Sequence, residues 1–303
     1  MSVTREMIEA LRIRIGASRP LSEPRPASAI EPPPKRVFPN EYERSAYAQR
    51  AAEHTTALVG IGNVGTRYAT DVVLQFQAEL AVAHAAVATV LPEGWATANG
   101  LLDLRSRVRD HHEYLLRPDL GRRLDESSLA ALRANAVPGV DVQPIVADGL
   151  SAVACMGSGL ELLEAFEKEC RARGWSVGTP MAARYARVWL EDEIGQTVGA
   201  RVACIILGER PGLGTGDGLS AYMVYEPRIG KTDGDRNMMS NIHPRGTPPP
   251  EAAERLALVA GAMMEQRTSG VDLDLSRIED RIGDAAGGLR APQVREQLVE
   301  VAR

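Results

Sequence analysis

The run Val202-Ala-Cys-Ile-Ile-Leu207 sets six apolar residues in a row with no polar alternation, and it constrains the fold more than any other stretch. A strand with one wet face alternates polar and apolar side chains, so an unbroken β-rich run reads as a strand covered on both faces. Helices must then lie above and below it, as they do over a parallel sheet. The run passes directly into "GERPGLGTGDG", residues 208–218. A glycine-rich loop at a strand end suggests a phosphate cradle, because glycine lets backbone N–H groups approach an anion. The spacing speaks against both common cradles. After Gly212-Leu213-Gly214 the dinucleotide fingerprint needs a third glycine where Asp217 stands, and the frame starting at Gly214 ends on Leu219. Gly230-Lys231-Thr232 has Tyr225 where a P-loop needs its first glycine.

The segments before that strand repeat its logic. "DVQPIVADGLSA" (141–152) reads as a strand ending at Asp148-Gly149 and a helix start, and "GLELLEAFEKECRARG" (159–174) as an amphipathic helix closed by Gly174. Strand, helix, strand predicts a parallel sheet whose ligand crevice lies beyond the carboxyl ends of its strands, where "ADGLS" and "GERPGLG" both fall. The final helix, "PPPEAAERLALVAGAMMEQRTSG" (248–270), has prolines at its start and Gly270 at its end. Upstream, "LQFQAELAVAHAAVATVL" (74–91), "GLLDLRSRVRDHHEYLL" (100–116) and "DESSLAALRANA" (125–136) read as helices, with Arg117–Arg122 a loop. The fold class expected is α/β: an N-terminal helical region followed by a Rossmann-like parallel α/β domain with flanking helices. The boundaries expected are 1–40, an amphipathic helix plus Pro-rich tether; 41–138, the helical region; 139–272, the α/β domain; and 273–303, a polar tail.

At the front end, Val3, Met7, Ile8, Leu11 and Ile15 share one helical face, and "SRPLSEPRPASAIEPPPKRVFP" then forbids regular structure. Such a helix is either a docking peptide or a loosely attached arm. Charges interrupt any apolar region that a secretory signal would need, and no apolar run has the ~20 residues of a membrane span. A formal net charge of −5, with both signs mixed along 303 residues, disfavours a nucleic-acid surface. Three widely spaced cysteines point to buried thiols in a reducing cytoplasm, and the five histidines lack zinc-site spacing, so no metal site is expected.

Few residues offer chemistry of their own. Glu191-Asp192-Glu193 reads as a solvated turn rather than an acid pair. Glu209 lies just beyond the doubly covered strand, where a carboxylate needs hydrogen bonds; a ligand or a neighbouring arginine such as Arg210 or Arg228 could provide them. Asp110-His111-His112 begins the D-x-H-x-x-G pattern that supplies a histidine to cobalt, but position 115 is Leu. Ser151 and Ser240 sit in no nucleophile elbow. An enzyme chain without its own catalytic constellation suggests a subunit.

Five blocks give that suggestion a family. "YLLRPDLGRRL" (114–124), "IVADGLSA" (145–152), "RVWLEDEIGQTVGA" (187–200), "LGERPGLGTGDGLSAYMVYEPR" (207–228) and "DRNMMSNIHPRGTPPPEAA" (235–253) together resemble the small (light) subunit of ethanolamine ammonia-lyase, over about Thr55 to Val271. The resemblance implies a hetero-oligomer in which a TIM-barrel large subunit carries the radical chemistry. This subunit would help hold adenosylcobalamin at the interface while ethanolamine becomes acetaldehyde and ammonia. The family's cobalamin contacts fall on Val188, Glu209 and Met238, and the loop glycines would leave room for the corrin edge. Base-on binding, with dimethylbenzimidazole kept on cobalt, suits the missing histidine motif. Three departures stand out. Met238 occupies a family cysteine position; residues 57–65 lack both arginines of the family's "A-R-I-x-x-G-R-x-G"; and residues 79–87 lose charges from its "D-H-A-x-A-R-D-A-V" helix. The front arm resembles those that route cargo enzymes to the shell of bacterial microcompartments, so the location expected is cytoplasmic, inside such a compartment if the arm docks there. The alternative is a non-catalytic paralog acting as a scaffold or interaction protein in such a compartment.

Overall fold

A computed structural model describes residues 66–212, 216–276 and 278, together with residue 50 and the backbone of residues 63–64. The expected front arm, most of the polar tail, nearly all of the altered 57–65 stretch and the loop tip at 213–215 lie outside the described residues.

The run that opened the sequence reading is an interior strand of a six-stranded sheet. In chain order the main elements, short helical turns and a two-residue ladder near residues 63–68 aside, are α1 (Thr70–Ala88), β1 (Leu102–Arg105), α2 (His111–Leu116), α3 (Glu126–Asn135), β2 (Val142–Ala147), α4 (Leu160–Ala172), β3 (Met181–Arg184), α5 (Leu190–Val198), β4 (Val202–Gly208), β5 (Leu219–Tyr225), β6 (Arg236–Ile242) and α6 (Pro249–Gln266). The strand order is β1-β3-β2-β4-β5-β6. The first four strands are mutually parallel, with Val142 to Ala147 facing Val202 to Leu207 in register. The last two are antiparallel. The parallel α/β part is as expected, and the antiparallel extension, which the sequence reading did not assign, follows from loop length: residues 209–218 are too few for a helical crossover and return the chain as an adjacent antiparallel strand.

Alternation along β4 divides the core in two. Val202, Cys204 and Ile206 join the cluster under α4 and α6, with Leu163, Phe166, Leu256 and Met263. Ile205 and Leu207 join the other face, under α3 and α5, with Leu132, Leu190 and Ile194. Every residue of β4 is buried, as a strand without polar alternation requires. Asp125 caps α3 and proline opens α6 as their sequences suggest, whereas Asp110, expected inside a helix, caps the start of α2; the two aspartates accept from the N–H groups of Ser128 and Glu113.

Two details refine the sequence reading. Residues 102–105, expected inside a helix, form the edge strand β1 beside β3. Leu102-Asp-Leu-Arg105 alternates with period two, and Leu104 is buried in the α3/α5 face, so its leucines suit a strand as well as a helix. Pro144 sits inside the central strand β2 without an N–H to give. Pairing with β3 begins only at Ile145, and the Gln143 side-chain amide donates to Pro144 O (2.8 Å) and Thr179 O (2.9 Å) where that ladder is missing.

Candidate functional site

In a parallel sheet the crevice opens where successive connections leave for opposite faces. Here β2 leads to α4 on one face and β3 leads to α5 on the other. Asp148 fills that crevice. Its carboxylate accepts the N–H of Tyr185 (2.8 Å) and of Ala186 (3.3 Å), and holds Tyr185 at a left-handed φ of 53°. Burial pushes the Asp148 carboxyl up to about 6, against the opposing pull of these backbone donors. The N–H groups that an anionic ligand would use are thus taken by the protein's own carboxylate.

The adjoining rim loops close on each other. Leu150 N donates to Gly208 O (2.8 Å) and Ser151 Oγ to Gly216 O (3.1 Å). A Cβ on Gly208 would lie 2.1 Å from Ser151 O and 2.5 Å from Asp148 O; one on Gly149 would lie 2.3 Å from Gly208 O. These two glycines therefore serve contact between the β2 and β4 loops, and for Gly208 the expected ligand clearance is corrected to backbone packing.

Glu209, the next residue, points the other way. It is half-buried, and its Oε1 accepts from the Tyr222 hydroxyl at 3.2 Å. Among the described residues its other oxygen has no hydrogen-bond partner, and neither Arg210 nor Arg228 pairs with it. Tyr222 lies on β5, with Ile205 of β4 on one side and Met238 of β6 on the other. Directly opposed residues of an antiparallel pair share a face, so Met238 stands beside the Tyr222 ring. Met238 is 52% exposed. Val188, just before α5, is partly buried and packs against the same core cluster as Tyr222.

A buried ion cluster ties the segments of Val188 and Met238 together. Arg236, at the start of β6, donates to Glu191 Oε1 (2.6 Å) and to both Asp192 oxygens (3.2 and 2.9 Å) at the start of α5. Glu193 Oε2 accepts from Leu124 N (2.6 Å). The expected solvated turn is thereby overturned: all three carboxylates are buried, at the helix end whose dipole favours negative charge. Burial pushes the Glu191 carboxyl well up despite Arg236 beside it, and raises Asp192 as well. The Trp189 indole N–H donates to Asp233 Oδ1 (2.6 Å), and Arg122 stacks 4.2 Å from the Trp189 ring at a cavity of about 290 Å³.

The family model of the ethanolamine ammonia-lyase light chain (EutC) matches residues 45–274, about three quarters of the chain. The chain belongs to this family. It is accordingly the light subunit of a lyase, in a family that is cobalamin-dependent in general.

In this light chain the three residues singled out from sequence lie on one side of the sheet. Glu209 and Met238 are linked through Tyr222, and Val188 and Met238 through the Arg236 cluster. Sequence reasoning missed Tyr222, Arg236 and Asp148 as the residues that make this arrangement. "AYMVY" carried a usable signal, since a tyrosine alternating with Ala221 and Met223 falls on the opposite face from them. Arg236 carried none, because its partners are more than forty residues away. His111 and His112 are residues of α2, and Ser151 caps the short helix Ala152–Ala154. The cysteines Cys155, Cys170 and Cys204 are free and buried, and burial raises each thiol.

Proposed function

We propose that this light subunit helps to hold adenosylcobalamin at the interface with a catalytic large subunit, in an enzyme that converts ethanolamine to acetaldehyde and ammonia. The observation that supports the reading best is the Glu209 carboxylate at the end of β4, with one oxygen on Tyr222 and the other without a partner among the described residues. A corrin ring is a broad apolar plate rimmed by amides, and it calls for a carboxylate or carbonyl acceptor beside apolar contact. Glu209, the half-exposed Met238 and the partly buried Val188 fit those needs. Glu209 would accept an amide N–H in a charge-assisted bond. Val188 would give backbone groups and apolar contact. Met238, replacing the family's cysteine, keeps soft bulk and lacks the S–H donor. When bound, the cofactor supplies the homolysis of its cobalt–carbon bond; the light chain supplies orientation and shelter and no catalytic residue.

Co-expression with the cognate large subunit tests this. The joint complex should bind cobalamin and release ammonia from ethanolamine, and the light chain alone should release none. Association of the two chains without cofactor binding or ammonia release would refute it.

The second reading, a scaffold paralog, draws on Met238 and on the arginines absent from residues 57–65. It expects association with compartment components and no cobalamin affinity in any assembly. For residues 1–40 we propose docking to a compartment shell, against a loosely attached arm: fused to a fluorescent protein, they should enrich it in compartments if they dock and leave it diffuse if they are only an arm. No helix of the described residues is long and apolar enough to cross a membrane.

A further inference from the structure

Glu209 follows the last residue of β4, and its side chain has three rotatable bonds. A free glutamate at such a position would sample many rotamers, and ordering it on binding would cost affinity. The Tyr222 hydroxyl restrains it, donating to Oε1 at 3.2 Å. Tyr222 is itself well held. Its strand pairs on both sides, and its ring packs against the α3/α5 core cluster. Burial, and then the Glu209 charge, pushes its hydroxyl up to about 12, so it stays protonated and remains a donor.

We propose that Tyr222 is a positioning residue for the cobalamin site: by occupying one Glu209 oxygen it presents the other to an amide N–H donor of the cofactor. The inference rests on the reading that Glu209 contacts cobalamin. It goes further by assigning a role to a side chain that need not touch the reacting atoms. Tyr222 also stands opposite Met238, so one residue aligns the polar and the apolar contact of the patch.

The test is a double-mutant cycle in the reconstituted two-subunit enzyme, titrated with cyanocobalamin as an inert probe of binding. Tyr222→Phe keeps the ring and removes only the donor. It should weaken binding about three- to tenfold, the size of one hydrogen bond. Glu209→Ala should weaken binding more, and the double variant should match Glu209→Ala alone. In turnover, Tyr222→Phe should raise the KM for adenosylcobalamin and leave kcat unchanged, a split that general loosening of the sheet would not produce. Wild-type affinity in Tyr222→Phe overturns the proposal, as does a Tyr222→Phe effect of full size in the Glu209→Ala background. If Glu209→Ala itself binds like wild type, the underlying contact is wrong; if only Tyr222→Phe does, the contact stands and the positioning role falls.

Discussion

Arg236 shows how much can depend on one buried side chain. It is 2% exposed at the side chain and holds Glu191 and Asp192 against burial. Removing one partner of such a cluster leaves charge uncompensated in the interior, which costs far more than the pair contributes in net terms. Arg236→Met should therefore destabilise the chain by about 3–5 kcal/mol in urea unfolding. Glu191→Gln keeps an acceptor for Arg236, leaves Asp192 to balance its charge and removes a carboxylate that burial disfavours, so it should cost less than Arg236→Met in the same assay. Asp148 carries a pH signature. Folding raises its carboxyl from near 3.9 to about 6, so the native state binds the proton more tightly than the unfolded chain. Stability from this group is fully present below about pH 4 and falls as pH rises to about 6, by about 3 kcal/mol at ~1.4 kcal/mol per unit. Asp148→Asn should flatten that part of the stability-versus-pH curve, as followed by thermal unfolding at fixed ionic strength. Neither residue was legible in the sequence as a structural centre. "WLEDEIG" looks like a solvated turn until its arginine partner, 44 residues downstream, is placed against it.

Among the elements, those built on local signals were readable. β4, α4 and α6 follow from an unbroken apolar run, a helical stripe, and a proline start. β1 was misread because four residues cannot separate a period of two from one of 3.6. β5 and β6 were not assigned because an antiparallel return depends on the length of the loop before it. The end of α6 also differs: Arg267, in the left-handed region at φ 56°, caps the helix, and Gly270 serves a later turn packed against Gly234. The β2 and β4 loops also meet backbone to backbone. Gly208→Ala would drive a methyl into Ser151 O and Asp148 O, and should cost at least about 1–3 kcal/mol, the usual range for overpacking. Chemical denaturation measures that cost. A stability equal to wild type would show that the two loops can separate, and would remove the reason for glycine at that position.

At the scale of the whole molecule, the sheet serves as a frame that brings together side chains distant in sequence. Val188 precedes α5, Glu209 follows β4 and Met238 lies on the edge strand β6. That they form one site is implied only by family resemblance. What the structure shows is how their segments are linked: Tyr222 lies between Glu209 and Met238, and Arg236 between the segments of Val188 and Met238. The ordinary crevice of the parallel sheet is meanwhile sealed by Asp148 and by the paired glycine loops. A ligand on this face is therefore expected beside the β5–β6 extension, outside that crevice. The most direct measurement of this account is the cobalamin affinity of Glu209→Ala within the assembled two-subunit complex, with assembly checked by sedimentation. The account predicts an intact complex whose affinity falls about 10- to 100-fold, the loss of one hydrogen bond to a charged group. An intact complex with unchanged affinity would contradict it.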